Sequence, residues 1–233
     1  MAPAVSIIVP VLDEAEGIRL ALHALAPLRQ AGAEVLVVDG GSADGTATAA
    51  RDAGADQVIV APRGRATQMN AGAAAARGAV LVFLHADTLL PAGALEAMAS
   101  AFRGSAGGAR PAAVWGRFDV EITGRPALLK LVAPMMNLRS RLSGIATGDQ
   151  AMFVTRAAFD RVGGFPAQPL MEDIELSRRL RRLGAPACLR LRVRTSGRRW
   201  ESRGPWRTVW LMWRLRLLYA LGVPAERLAR SYR

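Results

Sequence analysis

The sequence predicts an α/β fold: a mostly parallel sheet flanked by helices, with a C-terminal amphipathic helical appendage. Three observations carry the prediction. Short apolar runs alternate with segments of helical period through the first hundred residues, the signature of βαβ units. Acidic and glycine-rich clusters follow the apolar runs, where a parallel sheet presents the carboxyl ends of its strands. Near residue 104 the rhythm breaks, and the last quarter of the chain becomes arginine-rich and interleaved with Trp and Leu.

In chain order, Val5–Val9 is an apolar run ending at Pro10, a strand. From Glu14 to about Leu28, Ile18, Leu22 and Leu25 recur at helical spacing, and Gly32 stops the helix. Val35–Val38 is the second strand, with a helix from Thr46 to about Ala53 behind its polar turn. Val58–Val60 is a third strand, followed by a helix from about Arg65 to Arg77. Val80–Asp87 is read as a buried strand that delivers Asp87 to its carboxyl end. Pro91 opens a helix to about Phe102, and residues 104–111 form a Gly/Ala/Ser-rich loop. Val114–Ile122 alternates as a half-buried strand should. A helix over 127–142, a strand at Ala151–Val154, a short helix at Arg156–Val162 and an amphipathic helix at Glu172–Leu183 follow. Leu189–Val193 reads as an edge strand. Residues 1–203 are therefore taken as one domain, with a nucleotide-binding half to about 103 and an acceptor half over about 112–203. Residues 204–233 form the basic appendage.

Of 233 residues, 51% are hydrophobic, enough for a sizeable core. Cys188 is the only cysteine, which excludes an intrachain disulfide and reads as core filler. The start lacks a basic segment and a long apolar core, so no signal peptide is expected, and no apolar run reaches the length of a membrane span. The expected location is cytoplasmic, with peripheral attachment to the inner face of the membrane as the alternative. Charge is segregated. Residues 1–177 carry 15 basic against 17 acidic groups, whereas residues 178–233 carry 16 arginines against Glu201 and Glu226. Coding bias explains arginine over lysine but not this segregation. A cationic end must face something anionic: ligand phosphates, lipid or nucleic acid.

Three acidic clusters follow strands: Leu12-Asp13-Glu14, Asp39 to Thr46, and His85-Ala86-Asp87. Singly, each is a turn or a cap, and Ser42 and Asp44 in particular suit helix N-caps. Together, carboxylates on one sheet edge repel each other unless a cation sits among them. A divalent ion on a diphosphate would satisfy the arrangement, since Mg²⁺ and Mn²⁺ take oxygen ligands from one or two carboxylates and substrate phosphates.

The ordered set Pro10-Val11-Leu12-Asp13-Glu14, Val38-Asp39-Gly40-Gly41-Ser42-Ala43-Asp44-Gly45-Thr46, His85-Ala86-Asp87, Gly163-Gly164-Phe165 and Met171-Glu172-Asp173 resembles the signatures of family 2 glycosyltransferases over roughly residues 4–195. With Gly148-Asp149-Gln150 and the run after Met171, it looks like a small bacterial subgroup associated with radical-SAM/selenium-domain proteins. The resemblance implies a GT-A (Rossmann-like) fold, a nucleoside diphosphate sugar donor, most commonly UDP-linked, and Mn²⁺ or Mg²⁺. Carried over residue by residue, Asp39 matches the carboxylate on the nucleotide base. Pro10 and Glu14 match the segment lining base and ribose, and Arg65 falls where the family contacts the nucleotide. Asp87 matches the last carboxylate of the metal-holding Asp-x-Asp motif. His85 replaces its first aspartate; an imidazole can bind a metal or hydrogen-bond ribose or phosphate but adds no negative charge. Asp173 matches the general base, with Glu172 orienting it or raising its pKa. One base and one clamped leaving group imply inversion by direct displacement. Without the resemblance, Glu172 and Asp173 read as acidic residues opening a helix. Ser196-Gly197-Arg198-Arg199-Trp200 loosely resembles an acceptor-channel motif, placing Arg198 or Arg199 on the donor diphosphate, with a solvated basic loop as the bland alternative.

Pro205–Leu221 reads as a helix of about 16 residues, roughly 24 Å long, short of the roughly 30 Å bilayer core. Trp206, Trp210, Trp213, Leu217 and Leu221 share one face, and Leu211, Leu215, Leu218 and Tyr219 the other. A helix apolar on two sides buries one against its own domain. The second meets a homodimer partner or a membrane surface, the latter suiting a lipid-linked rather than a small-molecule acceptor. A nucleic-acid-binding module is disfavoured, because the acidic strand ends would repel a phosphate backbone. A nucleotidyltransferase on a related sheet would put a Gly-rich loop where Pro10–Glu14 stands. A catalytically inactive nucleotide-sugar-binding relative is the remaining alternative.

Overall fold

The structure, a computed structural model, describes residues 4–104 and 112–232. Its frame is an eight-stranded sheet. The strands are β1 (Val5–Val11), β2 (Glu34–Asp39), β3 (Gln57–Val60), β4 (Val80–Phe83), β5 (Thr88–Leu89), β6 (Trp115–Thr123), β7 (Met152–Thr155) and β8 (Ala187–Ser196). They lie in the order β3-β2-β1-β4-β7-β6-β8-β5. The first four are mutually parallel; β7 and β5 run against their neighbours. The order reverses between β1 and β4, so the crevice beyond their carboxyl ends is the topological switch point where such sheets bind ligands.

Ten helices complete the described chain: α1 (Ala15–Gln30), α2 (Thr46–Asp52), α3 (Arg65–Ala75), α4 (Ala94–Arg103), α5 (Leu129–Ser143), α6 (Arg156–Arg161), α7 (Glu172–Arg181), α8 (Arg198–Arg203), α9 (Pro205–Ala220) and α10 (Ala225–Tyr232). The pleat divides the core. Ile7, Val9, Val35 and Val37 face Ile18, Leu22 and Leu25 of α1, while Ile8, Leu36 and Val38 face Ala66, Met69 and Ala73 of α3. Gly72 lets α3 lie close to the sheet, since a Cβ there would stand 2.4 Å from Ile8 Cγ2. A third, smaller cluster joins Leu215 of α9 and Leu228 of α10 to Met171 and Ile174 at the start of α7. The appendage thus packs on the domain rather than trailing from it.

Several expected boundaries move. The strand expected to reach Asp87 ends at Phe83. The backbone N–H of Leu84 still donates to Ile8 at 3.0 Å, but the next rung of the ladder would need an N–H on Pro10, which has none. The chain leaves the sheet there, and Thr88 donates to His85 at 3.0 Å to close a turn that holds Asp87. β1 itself runs on through Pro10 to Val11, held by β2 on its other side. The expected edge strand at Leu189–Val193 is the ten-residue β8, lined by β6 and by the two residues of β5, so it is not the sheet's edge. The stretch around Arg198 is a short helix, not a loop. The loop expected at 104–111 lies, beyond Gly104, outside the described residues.

Candidate active site

At the carboxyl ends of β1 and β2, the acidic residues are tied into each other's loops. The Asp39 carboxylate, buried, accepts from the Ser42 hydroxyl and from its N–H at 3.1 Å. The Ser42 hydroxyl in turn accepts from Asp13 N–H at 2.9 Å, and Asp13 Oδ1 accepts from Ala43 N–H at 2.9 Å. Asp44 accepts from Ala15 N–H at 3.0 Å, capping α1 from across the loops, and from Thr46 N–H at 3.0 Å. The Thr46 hydroxyl and these N–H groups hold the Asp44 carboxyl below its ordinary value. Asp44 therefore caps α1 from a neighbouring loop, Ser42 bridges Asp39 and Asp13, and Asp13, Asp39 and Asp44 each accept backbone N–H groups. Asp13 occupies the left-handed region, φ 51°, which Asp tolerates better than most residues. Glu14, at the N-cap of α1, donates its N–H to the Thr46 hydroxyl at 2.9 Å and pairs with Arg198 at 3.5 Å. Of the two arginines singled out from the sequence, Arg199 has its side chain outside the described part, and Arg198 reaches this loop. Pro10 sits half-buried opposite Val38.

Gln68 was not singled out from the sequence. It is buried on α3, and its amide donates to Val11 O at 2.7 Å and Val38 O at 2.8 Å, tying the ends of β1 and β2 together beneath these loops.

A second group lines one cleft: Arg65, Met69, Phe83, His85, Gly148, Met152, Phe165, Glu172 and Asp173. Here the structure brings together four of the expected residues from three distant stretches. Asp173 Oδ2 accepts from Gly148 N–H at 2.9 Å and its Oδ1 accepts from Ile174 N–H at 2.7 Å. Glu172 is buried and stands 3.7 Å from Arg65. Burial, then the adjacent Asp173 charge, pushes its carboxyl above the ordinary range, with Arg65 opposing. The aromatic floor is Phe83, Phe159 and Phe165, with Phe83–Phe165 centroids 4.7 Å apart. Phe165 is placed by a reciprocal pair of backbone bonds to the Asn70 amide, at 2.9 and 3.0 Å. This fixes the Gly163-Gly164-Phe165 turn against α3.

His85 turns both ring nitrogens toward the turn at Gly148–Gln150. Nδ1 is 3.4 Å from Asp149, and Nε2 is buried without a hydrogen-bond partner, against Gly148. A Cβ at position 148 would stand 2.4 Å from Nε2, so any other residue there would push the imidazole aside. Asp149, passed over as a site residue, is thus part of the arrangement; its motif was visible, its contact was not.

Pro10, Glu14, Asp39 and Asp87 are not among the residues lining this cleft. Asp87 is half-buried, and its carbonyl accepts from Ser196 N–H at 3.1 Å, anchoring the turn to β8. No group of three or more His, Cys, Asp or Glu residues suited to a metal occurs among the described residues. A lone carboxylate at the switch point fits an ion that takes most of its oxygens from a bound diphosphate, and does not fit a metal caged by protein alone.

The strand order, reversing between β1 and β4, is that of nucleotide-binding α/β folds. Residues 6–161 match the model of glycosyl transferase family 2, and the chain belongs to that family. Among solved structures, a mannosyltransferase from Pyrobaculum calidifontis in complex with GDP-Man and Mn²⁺ superposes with a TM-score of 0.59 at 24% identity, covering 83% of this chain and 57% of that one. S. aureus TarS superposes with a TM-score of 0.61 at 18% identity, over 84% of this chain and 61% of that one. Glucosyl-3-phosphoglycerate synthase from Mycobacterium tuberculosis, with Mn²⁺, UDP and glucosyl-3-phosphoglycerate, gives 0.55 at 21%, over 82% and 70%. These likenesses establish the GT-A fold. The chain spans about three fifths of the length of the first two. No curated protein matches it by sequence.

Proposed function

We propose that the protein is an inverting glycosyltransferase that moves a sugar from a nucleoside diphosphate sugar, UDP-linked, to an acceptor hydroxyl. Family membership supports the class, and structural neighbours bound to UDP or GDP-Man with Mn²⁺ or Mg²⁺ support the donor type. The observation that carries the reading is Asp173: a carboxylate locked by Gly148 N–H at 2.9 Å, in the cleft beside Glu172 and Arg65.

In this reading the base and ribose lie along Pro10, Glu14 and Asp39, and Arg65 reaches the donor from α3. Asp87 would hold Mn²⁺ or Mg²⁺, which when bound supplies Lewis-acid stabilisation of the leaving diphosphate. The acceptor O–H gives its proton to Asp173, and its oxygen attacks the anomeric carbon from the face opposite the diphosphate. The C–O bond to the diphosphate breaks as the new one forms, so the configuration inverts. Glu172, with its raised pKa and its Arg65 partner, positions Asp173 rather than competing for the proton. His85 is assigned to bracing the Gly148 turn, since its Nε2 is buried against Gly148 and its Nδ1 stands 3.4 Å from Asp149. Among the described residues no helix is long and apolar enough to cross a membrane. The exposed Trp face of α9 is proposed to lie on a membrane surface.

Thermal shift with UDP and GDP, each with and without Mn²⁺, tests the donor assignment. Metal-dependent stabilisation by one of them is expected; no response to any nucleoside diphosphate would sink it. Asp173→Asn should bind the donor normally and lose sugar transfer, including slow transfer to water, by at least about a hundredfold.

A further inference from the structure

Gln150, on the turn that touches Asp173, is a fully buried amide. Its Oε1 accepts from Thr147 N–H at 3.3 Å, and its Nε2 donates to Asn137 Oδ1 at 3.3 Å. The Asn137 side chain, on α5, is itself fixed to the sheet: it accepts from Val120 N–H at 2.8 Å and donates to Val120 O at 3.0 Å. Val120 lies beyond the stretch of β6 that pairs with β7, which is Trp115 and Gly116, so this amide stands where a neighbouring strand would. The path runs from the sheet through Asn137 and Gln150 to the segment 146–150. From there it reaches Asp173 Oδ2 through Gly148 N–H at 2.9 Å.

A second tie comes from α7. Ser177 is buried one turn after Asp173, on the same face of the helix. Its hydroxyl accepts from Ala146 N–H at 3.1 Å and donates to Ala146 O at 3.3 Å. The backbone on both sides of this contact is held in an unfavourable conformation. Ala151, which follows the segment, has φ 45°, and Met171, which precedes α7, has φ 64°. Residues with a Cβ rarely adopt the left-handed region, and they persist there only where surrounding contacts over-determine the backbone. Asp13 is the only other such residue among the described ones, so the strain gathers where Gly148 meets Asp173.

A general base has to stand within hydrogen-bond reach of the proton it takes. Each oxygen of the Asp173 carboxylate accepts one backbone N–H, from Gly148 and from Ile174, and keeps a second lone pair for an acceptor hydroxyl. The Gly148 bond fixes which way the carboxylate turns in the cleft that both residues line. We propose that Gln150 and Ser177 are positioning residues: they hold the segment 146–150 so that Gly148 N–H sets the Asp173 carboxylate for proton transfer. The proposal rests on Asp173 being the base. Neither side chain is among those lining the cleft, and both act through Gly148.

The test is a double-mutant cycle on sugar transfer to water from UDP-glucose, UDP-GlcNAc and GDP-mannose with Mn²⁺, read as nucleoside diphosphate released by the full chain. Gln150→Met removes both amide bonds with little change in volume; Ser177→Ala cuts the other tie and serves where the first variant melts early. Each should lower kcat about tenfold or more, since misplacing a catalytic group by an ångström costs up to about a hundredfold. KM for the donor should stay within about twofold, as expected when only the transition state loses an interaction. In an Asp173→Asn background the same changes should lower the residual rate by less than about twofold, because the group they position is gone. Losses that multiply with Asp173→Asn, or a KM that moves with kcat, would show a merely structural role and overturn the proposal. Hydrogen exchange by NMR gives a readout independent of turnover: Gly148 N–H should exchange faster in both variants while amides of β1 and β2 keep their rates. Full kcat in both variants beside an impaired Asp173→Asn overturns the positioning role and leaves the base standing. Failure of the glycosyltransferase reading looks different: Asp173→Asn keeps the full rate, and the positioning role falls with it. If wild type turns over none of the three donors, unchanged Gly148 exchange in both variants still overturns the proposal.

Discussion

At the scale of single residues, the cleft rests on close contacts that substitution can probe without knowing the acceptor. Gly148 is one. Its missing side chain is the space into which His85 Nε2 fits, 2.4 Å from where a Cβ would stand. Gly148→Ala should destabilise the protein by about 1–3 kcal/mol, the usual cost of overpacking. In a His85→Ala background the same change should cost almost nothing, a coupling that a double-mutant cycle in urea would measure. Additive effects would mean that the ring does not occupy that space. Glu172 is the other. Its carboxyl pKa is raised above the ordinary 4.5 by burial and by Asp173. The folded protein therefore keeps a proton that the unfolded chain releases between 4.5 and the raised value, and stability falls as pH rises through that window. Glu172→Gln removes this titration. The melting temperature of the variant minus that of wild type should grow more positive from about pH 5 to about pH 8; a difference independent of pH would contradict it. Candidate residues were legible in the sequence because their motifs are local: Asp39 ends β2 and Glu172 and Asp173 open α7, whereas Asp87 falls on a turn beyond the expected strand. What each carboxylate is bonded to was not. Ser42, Asp44 and Asp13 bind neighbouring loops, and only the fold sets two loops 29 residues apart in contact.

At the scale of elements, helical and strand periods placed nearly every segment, and the errors have physical causes. Pro10 withholds one N–H and ends the β1–β4 ladder early, so Asp87 rides on a turn instead of a strand end. β8 gained a neighbour because two residues, Thr88 and Leu89, pair with Thr195 and Arg194 far along the sequence, too short a strand to leave a period. The two-faced reading of α9 is borne out. Leu215 is buried against Met171 and Ile174, while Trp206, Trp210 and Trp213 are 65–72% exposed. Arg178 stacks on Tyr219 of the same helix at 5.1 Å, and Gln168 donates to its hydroxyl at 3.3 Å. Because this cluster is small and separate from the two main cores, α9 should open locally. Leu215→Ala removes the buried knob and should cost the α9–α7 contact about 2–5 kcal/mol. Hydrogen exchange in α9 and α10 should accelerate while amides of β1 and β2 keep their protection. Uniform acceleration across the chain would show that α9 unfolds only with the whole domain.

At the scale of the molecule, charge and apolar surface are segregated together. Residues 178–233, with 16 arginines against two glutamates, carry the excess of positive charge, and Arg207 and Arg214 lie on the helix that bears the exposed apolar face. Leu217 and Leu221 continue the Trp stripe of α9 at 61% and 73% exposure, and α5 carries a further exposed stripe of Leu131, Met135, Leu138 and Leu142. Exposed tryptophans flanked by arginines are the composition of a helix lying in a lipid headgroup layer. An anionic bilayer complements the arginines, whereas a second copy of the same cationic face would meet its own charge across a dimer interface. On that ground we propose a membrane surface, rather than a homodimer partner, as what this face meets. The protein should co-sediment with vesicles containing phosphatidylglycerol and shift its tryptophan emission to the blue. Binding should weaken in vesicles of phosphatidylcholine alone and in high salt, since Coulomb attraction to headgroups is screened. Replacing Trp206, Trp210 and Trp213 by serine should abolish both signals, because these side chains supply the apolar contact, and should leave the melting temperature within a few degrees of wild type, because they are exposed. A Trp face that gives no vesicle binding yet drives a concentration-dependent dimer would instead assign it to a second subunit.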